Sequence, residues 1–332
     1  MIKKTKGIYM EKIKMCENGG CMAKLSGGEL ARLLGASLGS FSPEDSSVFE
    51  IDGVKMLSSL DFGPLVGDDP YAAGQIAALH AISDLYVSGG TPQFALVILQ
   101  IADGMSMSSA KLIVDGVKTA CAREHVQILG GHTIRGESVL VGLSAVGKAG
   151  IVDLSGTKKR SVPGDTLMMS KALGTGIASR AYFHKFIDSE RYQQAIESML
   201  ISNSNALQAF RATDIHACTD VTGFGLIGHL SEMLPKGCGA SLELGKIRFF
   251  DCLQGLPFNA LFSSYIYNNI EYVERAMGCD IEVDCIEKLA LFDPQTNGPI
   301  LLSVAPENAA LLEDCGFYAI GTVDATGEIT LR

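Results

Sequence analysis

At 332 residues, 47% of them hydrophobic, the chain is long enough for one large or two medium-sized hydrophobic cores. Its formal net charge of -10 repels phosphate backbones and anionic headgroups, which argues against nucleic acid or a membrane surface as a partner. No apolar run reaches the length of a membrane span and the opening MIKKTKGIYMEKIKM is too polar for a secretory core, so a cytoplasmic enzyme is the expectation.

Residues 1–28, with CENGGCMAKLSGG at their end, carry too many glycines for a stable element and read as a mobile lid segment. A short helix is expected at Glu29 to Leu34, then two strands, VFEI and VKMLSSLDF, joined by a hairpin turn at Asp52-Gly53. GQIAALHAISDLYV, Gly74 to Val87, has helical length and is ended by Ser88-Gly89-Gly90. The strand FALVILQI, a helix over 107–124, a strand VQILG, a loop GGHTIRGE and a strand SVLVGLSAVGK complete a β-α-β order, giving an α/β domain over 29–155. The Pro-Gly-Asp turn in SVPGDTLMMSKALGTG opens a second α/β domain, 156–332, mostly helical to about residue 210 and ending in β-α-β-β from Pro299. The nine cysteines are scattered, with no Cys-x-x-Cys pair, and fit reduced thiols better than a zinc site or a disulfide framework.

Four carboxylates stand at expected element ends: Asp45 before a strand, Asp61 ending one, Asp84 near a helix C-terminus and Asp220 before a glycine-rich turn. Asp84 is the most informative, because a carboxylate in the last helical turn faces the negative end of the macrodipole and calls for a compensating cation. Asp68 and Asp69, before Pro70, fit a helix cap as well as a metal ligand. Oxygen ligands without a His/Cys cluster suit a hard cation, Mg²⁺ rather than zinc, and magnesium usually arrives with phosphates. Neither GxxxxGK[ST] nor GxGxxG after a strand is present, so phosphates need another cradle.

Two further groups qualify. Cys21-Met22-Ala23-Lys24 sets a soft nucleophile beside a cation that would lower the thiol pKa and could contact a phosphate; a free cysteine beside a solvated lysine is the plainer alternative. Gly130-Gly131-His132-Thr133 could bring backbone amides and two side-chain donors to an anion, or form a tight turn around a satisfied histidine. His80, one helical turn before Asp84, could orient that carboxylate or simply pack.

In order along the chain, CxxK, EDSSV, SLDF, DDPYAAGQIAALHAISDLYVSGG, GGHT, SKALGTG, TDVTGFGLIGHLSEM and DPQT resemble the selenophosphate synthetases (selenide, water dikinases). The resemblance implies a two-domain fold of the aminoimidazole ribonucleotide synthetase type and a homodimer whose N-terminal sheets pair across the interface. It implies conversion of ATP, selenide and water to selenophosphate, AMP and phosphate, which supplies selenium for selenoproteins or selenonucleosides. By motif position, Asp45, Asp84 and Asp220 would hold Mg²⁺, with Asp61 assisting. Lys24, Asp61, Asp84 and Gly130 to Thr133 would bind ATP, and Cys21 and Lys24 would be catalytic on a lid over the triphosphate. K⁺ is a candidate monovalent cation and a selenium-delivery protein a candidate partner.

Two departures affect the second domain: Ser263 to Asn268 replace a Gly-Gly-Thr-x-x-Asn block, and DPQTSGG reads Asp293 to Pro299, DPQTNGP. Both remove glycines. A small-molecule kinase or ATP-dependent cyclo-ligase of the same superfamily, or a non-catalytic ATP- or selenium-binding relative, are the alternatives.

Overall fold

The computed structural model describes residues 19, 20, 33, 44–150, 158, 160–277 and 281–332. Cys21, Lys24, most of the expected lid and most of the expected helix Glu29 to Leu34 lie outside those residues.

Strands β1 (Ser47–Ile51) and β2 (Val54–Pro64) form the expected hairpin, with Asp52 and Gly53 at φ 49° and 78°, the left-handed pair that a two-residue turn requires. Helix α1 (Pro70–Val87) begins four residues before the expected start, because Asp69 Oδ1 accepts the N–H of Tyr71 at 2.8 Å and of Ala72 at 3.3 Å while Pro70 takes the first helical position. Asp69 is therefore a helix cap, and Asp68 accepts the Tyr182 hydroxyl at 2.9 Å. Strand β3 (Gly90–Ala102), helix α2 (Met107–Arg123), β4 (Gln127–Gly136) and β5 (Leu140–Ala149) complete the first sheet, in the order β1-β2-β5-β3-β4, with only β3 and β4 parallel.

One expected loop is absent. Gly130, Gly131, His132 and Thr133 lie inside β4, paired along their length with β3, and Leu129 is the extra residue of a bulge. Turn chemistry suggested a loop at the glycines, yet Gly131 lies where a side chain would strike the Val97 carbonyl, so the glycine serves close strand approach.

The second half supplies β6 (Thr166–Met169), α3 (Thr175–Phe183), α4 (Ser189–Met199), α5 (Asn205–Ala212), β7 (Ala217–Asp220), α6 (Gly225–Met233), β8 (Gly239–Leu242), α7 (Phe258–Leu261), α8 (Ser264–Met277), α9 (Ile286–Phe292), β9 (Ile300–Val304), α10 (Ala309–Glu313), β10 (Tyr318–Asp324) and β11 (Ile329–Leu331). Its six-stranded sheet runs β11-β8-β10-β6-β9-β7. One core joins α3, α4, α6, α8 and α9 to this sheet.

The other core is shared between the halves. It unites Leu79, Ile82 and Leu85 of α1 with Met168, Cys218, Ile300 and Leu302 of the second sheet and with Leu143 and Leu99 of the first. α1 is apolar on all sides, and 13 of its 18 residues are buried, as befits a helix enclosed between layers. Each buried Leu or Ile here contributes about 1.5–3 kcal/mol by area removed from water.

Among the described residues, the outer face of the first sheet has no such cover. Register places Leu60, Ser144, Leu96 and Gly130 in one row and Phe62, Gly142, Ile98 and His132 in the next, all on the face away from α1. Leu60, Phe62, Leu96 and Ile134 are exposed there.

α1 and α2 approach closely through glycines: a methyl on Gly116 would lie 2.1 Å from the Tyr71 carbonyl oxygen. Gly116→Ala therefore lowers stability by about 2 kcal/mol in urea melts, because the clash with backbone outweighs the roughly 1 kcal/mol that alanine adds to helix propensity. A stabilised variant would contradict this packing.

Candidate active site

Three aspartates from distant parts of the chain converge. Asp220 ends β7, Asp84 sits in the last turn of α1, and Asp45 precedes β1, where Ser46 Oγ donates to Ser88 Oγ at 2.7 Å and ties this stretch to the end of α1. One carboxylate oxygen from each of Asp45, Asp84 and Asp220 lies within 4.8 Å of the others. Ser59 Oγ on β2 donates to Asp84 Oδ2 at 2.5 Å, and Thr219 Oγ1 on β7 donates to Asp45 Oδ1 at 3.2 Å. Asp220 is 1% exposed, and its Oδ2 has no hydrogen-bond partner among the described residues.

Such a trio repels itself. Burial raises Asp45 to about 6, with repulsion from Asp220 adding to it and Lys158 opposing it. The donor set is oxygen only, the oxygens are close enough to share a hard divalent cation after a small contraction, and the bare Asp220 Oδ2 needs a positive partner. The residues fit magnesium.

A buried cation adjoins the trio. Lys158 Nζ donates to Asp45 Oδ1 at 2.6 Å and lies 3.1 Å from Glu232 Oε2. Burial opposes the charge on Glu232, but Lys158 and His229 overcome it and hold Glu232 at about 2, while the Tyr272 hydroxyl donates to Glu232 Oε1 at 3.3 Å. Neither Lys158 nor Glu232 was singled out from sequence. Glu232 carries a weak signal, three residues after His229 on α6, whereas Lys158 stands in a Lys-Lys-Arg run with nothing local to set it apart from a solvated charge.

Asp61 is outside the trio. Although it was expected to assist there, its Oδ2 lies 3.0 Å from His80 Nε2, so His80 orients Asp61. The N–H of Asn297 donates to His80 Nδ1 at 3.2 Å, which leaves the ring proton on Nε2, facing Asp61. Asp61, His80, Gly20 and Thr296 line a cavity of about 90 Å³. Gly20 thus brings the chain to this cavity just before Cys21.

Asn297 accounts for one altered motif. It holds φ 45°, a conformation asparagine tolerates, and its Nδ2 donates to the carbonyls of Met199, the last residue of α4, at 2.6 Å and of Ile201, just beyond it, at 2.9 Å. Its own carbonyl accepts from Lys171 Nζ at 3.0 Å, and burial lowers Lys171 to about 7 against the pull of Asp220. In the other altered motif, Ser263 Oγ accepts the Ile266 N–H at the start of α8; just after the motif, the buried Asn269 amide donates to the carbonyls of Gly223 and Phe292, both at 2.9 Å.

The DPQT block has an internal target. Asp293 Oδ2 accepts the Ile177 N–H at 3.0 Å, and Gln295 Oε1 accepts the N–H groups of Gly174 and Thr175 at 2.9 and 3.0 Å. These groups satisfy the N-terminus of α3 from within.

This arrangement has relatives. Residues 38–149 match the family described as AIR synthase related protein, N-terminal domain, and residues 162–332 match its C-terminal domain. The selenide, water dikinase of Pelobacter propionicus is 34% identical over 307 residues, 88% of this chain and 87% of that protein. The chain belongs to the selenide, water dikinase family. The family's enzyme from Treponema denticola is 33% identical over 96% of both chains. The two-domain AIR synthase-related fold also appears in thiamine monophosphate kinase from Aquifex aeolicus, with a TM-score of 0.62, 19% identity and coverage of 91% of this chain and 94% of that one. The hydrogenase maturation protein HypE in complex with ATP aligns with a TM-score of 0.61, 17% identity and coverage of 85% and 83%. These two likenesses concern the fold alone.

Asp293→Ala removes the acceptor for Ile177 and a partner of Gln295. It lowers stability by about 2 kcal/mol or more through buried donors left unpaired, measured by urea denaturation. Wild-type stability in the variant would refute the clamp.

Proposed function

We propose that the chain is a selenophosphate synthetase that converts ATP, selenide and water to selenophosphate, AMP and phosphate. The observation that carries this reading is the convergence of Asp45, Asp84 and Asp220, with the bare oxygen of Asp220, in a chain of the selenide, water dikinase family. Magnesium held by these three would neutralise phosphate charge and align the phosphoryl group.

The protein's part is to bind, orient and exclude. In the first transfer a P–Se bond forms as the bond from the γ-phosphorus to its bridging oxygen breaks; in the second, water takes the β-phosphoryl group and gives up a proton, leaving AMP. Lys24 is assigned to charge on the transferred phosphoryl group and Cys21 to guiding selenium. The place of Gly20 in the Asp61–His80 cavity supports a lid that reaches the phosphates. Asp61, oriented by His80, faces the same cavity and is assigned to ATP.

Gly130, Gly131, His132 and Thr133 are assigned to ATP from β4, with His132 on the uncovered face of the sheet. That apolar face is assigned to the homodimer interface: Leu60, Phe62 and Leu96 are too exposed and contiguous for a solvated surface, and a second copy supplies a matching face. ATP then sits beside the interface. A cytoplasmic location, K⁺ as accessory cation and a selenium-delivery partner complete the proposal.

Phosphorus NMR of the protein with ATP, Mg²⁺ and selenide under anaerobic, reducing conditions yields selenophosphate and AMP, and Lys24→Ala loses most of this turnover. ADP as the final nucleotide would instead favour a superfamily kinase, and binding without turnover would favour a non-catalytic relative. Leu96→Glu buries a charge in the paired sheets, so the dimer weakens on the order of a hundredfold in light-scattering dilution series. A Leu96→Glu dimer as tight as the wild type would remove this face from the interface.

A further inference from the structure

The trio of aspartates is not left bare, because a lysine already stands against it. Lys158 is 5% exposed, and its Nζ bonds Asp45 Oδ1 at 2.6 Å while lying 3.1 Å from Glu232 Oε2. Thr219 Oγ1 also donates to Asp45 Oδ1, so this oxygen is committed twice over. Glu232 in turn is held by Lys158 and faces His229 Nδ1 at 3.5 Å.

We infer that Lys158 is a built-in counter-ion of the metal site, a positioning residue that keeps divalent-cation affinity low until phosphates arrive. Two opposing effects act through it. It fixes the Asp45 carboxylate, which favours metal binding, and it places a positive charge one bond away from a ligand, which disfavours a second cation. The charge effect dominates, because Thr219 also holds the Asp45 rotamer, whereas among the described residues Lys158 is the cation in contact with both Asp45 and Glu232, His229 reaching Glu232 alone. The three carboxylates Asp45, Asp84 and Asp220, with Glu232 across Lys158 from them, would hold a divalent ion more tightly without the lysine's charge. With Lys158 in place, the added negative charge of a triphosphate makes up the difference. Cations then enter and leave with the nucleotide and its products. Glu232 sets how much of the lysine's charge falls on Asp45.

The inference rests on the divalent-metal reading of the aspartates, and its test separates the two. Mn²⁺ binding is measured on the full chain by calorimetry and by the loss of the free-ion electron-spin signal, with and without a non-hydrolysable ATP analogue. In nucleotide-free protein, Lys158→Met binds Mn²⁺ about tenfold more tightly or better than the wild type, while Glu232→Gln, which removes a carboxylate that offsets the lysine charge, binds it more weakly. Lys158→Arg, which keeps the charge, stays near the wild type and serves where Lys158→Met folds poorly. Circular dichroism melts identify folded variants. Equal or weaker Mn²⁺ binding by folded Lys158→Met, with the wild type binding Mn²⁺ normally beside the nucleotide analogue, would overturn the counter-ion role and leave the metal site standing. No Mn²⁺ binding by any form, even with the analogue, would overturn the metal site itself.

Discussion

The enclosure of α1 between the two sheets is the constraint on which the rest of the molecule depends. A helix apolar on every side cannot sit at a surface, so both halves of the chain must close on it. Its few polar groups then have to meet partners inside. His80 bonds Asp61 and the Asn297 backbone, Ser83 accepts the Asn203 amide, and Asp84 faces Asp45 and Asp220. Hydrophobic burial thus sets the geometry of the charged site, because each apolar contact of α1 also fixes the depth and rotation at which Asp84 is presented.

Charge is balanced within this enclosure at several points. Asp45 is raised by burial and by Asp220, Glu232 is lowered by Lys158 and His229, and Lys171 is lowered by burial near Asp220. Among the described residues, carboxylates outnumber the buried cations that touch them, and the Asp220 oxygen without a hydrogen-bond partner marks where positive charge is missing. An acidic chain that handles a triphosphate needs such a site, since neither its net charge nor a glycine-rich phosphate loop supplies attraction.

The altered C-terminal motifs keep their structural work by other means. Asn297, at the serine position of DPQTSGG, takes up a left-handed backbone that asparagine tolerates, and adds two side-chain bonds to the end of α4. Asp293 and Gln295 close the N-terminus of α3, which removes that helix end from the list of phosphate cradles. The uncovered face of the first sheet is the complementary case: there, apolar side chains find no cover within the described residues.

Much of this was legible in the chain itself. The Asp52-Gly53 hairpin, the extent of α2, the β-α-β-β ending and the placing of Asp45, Asp84 and Asp220 at element ends follow from local periodicity and turn chemistry, which act over a few residues. The resemblance of the HAISDLYVSGG and TDVTGFGLIGHL blocks carried the family. Local rules misread Gly130-Gly131 as a loop, because the glycines answer to the Val97 carbonyl on a neighbouring strand. They offered His80 only Asp84 or plain packing, since helix spacing cannot reveal Asp61 on β2. Lys158, Glu232 and Asn297 gained their roles only when segments more than seventy residues apart were packed together, where burial turns an ordinary surface-type charge into a counter-ion. Sequence determined the elements and the kind of chemistry; the tertiary structure decided which charges face one another, because that depends on long-range burial that no local spacing encodes.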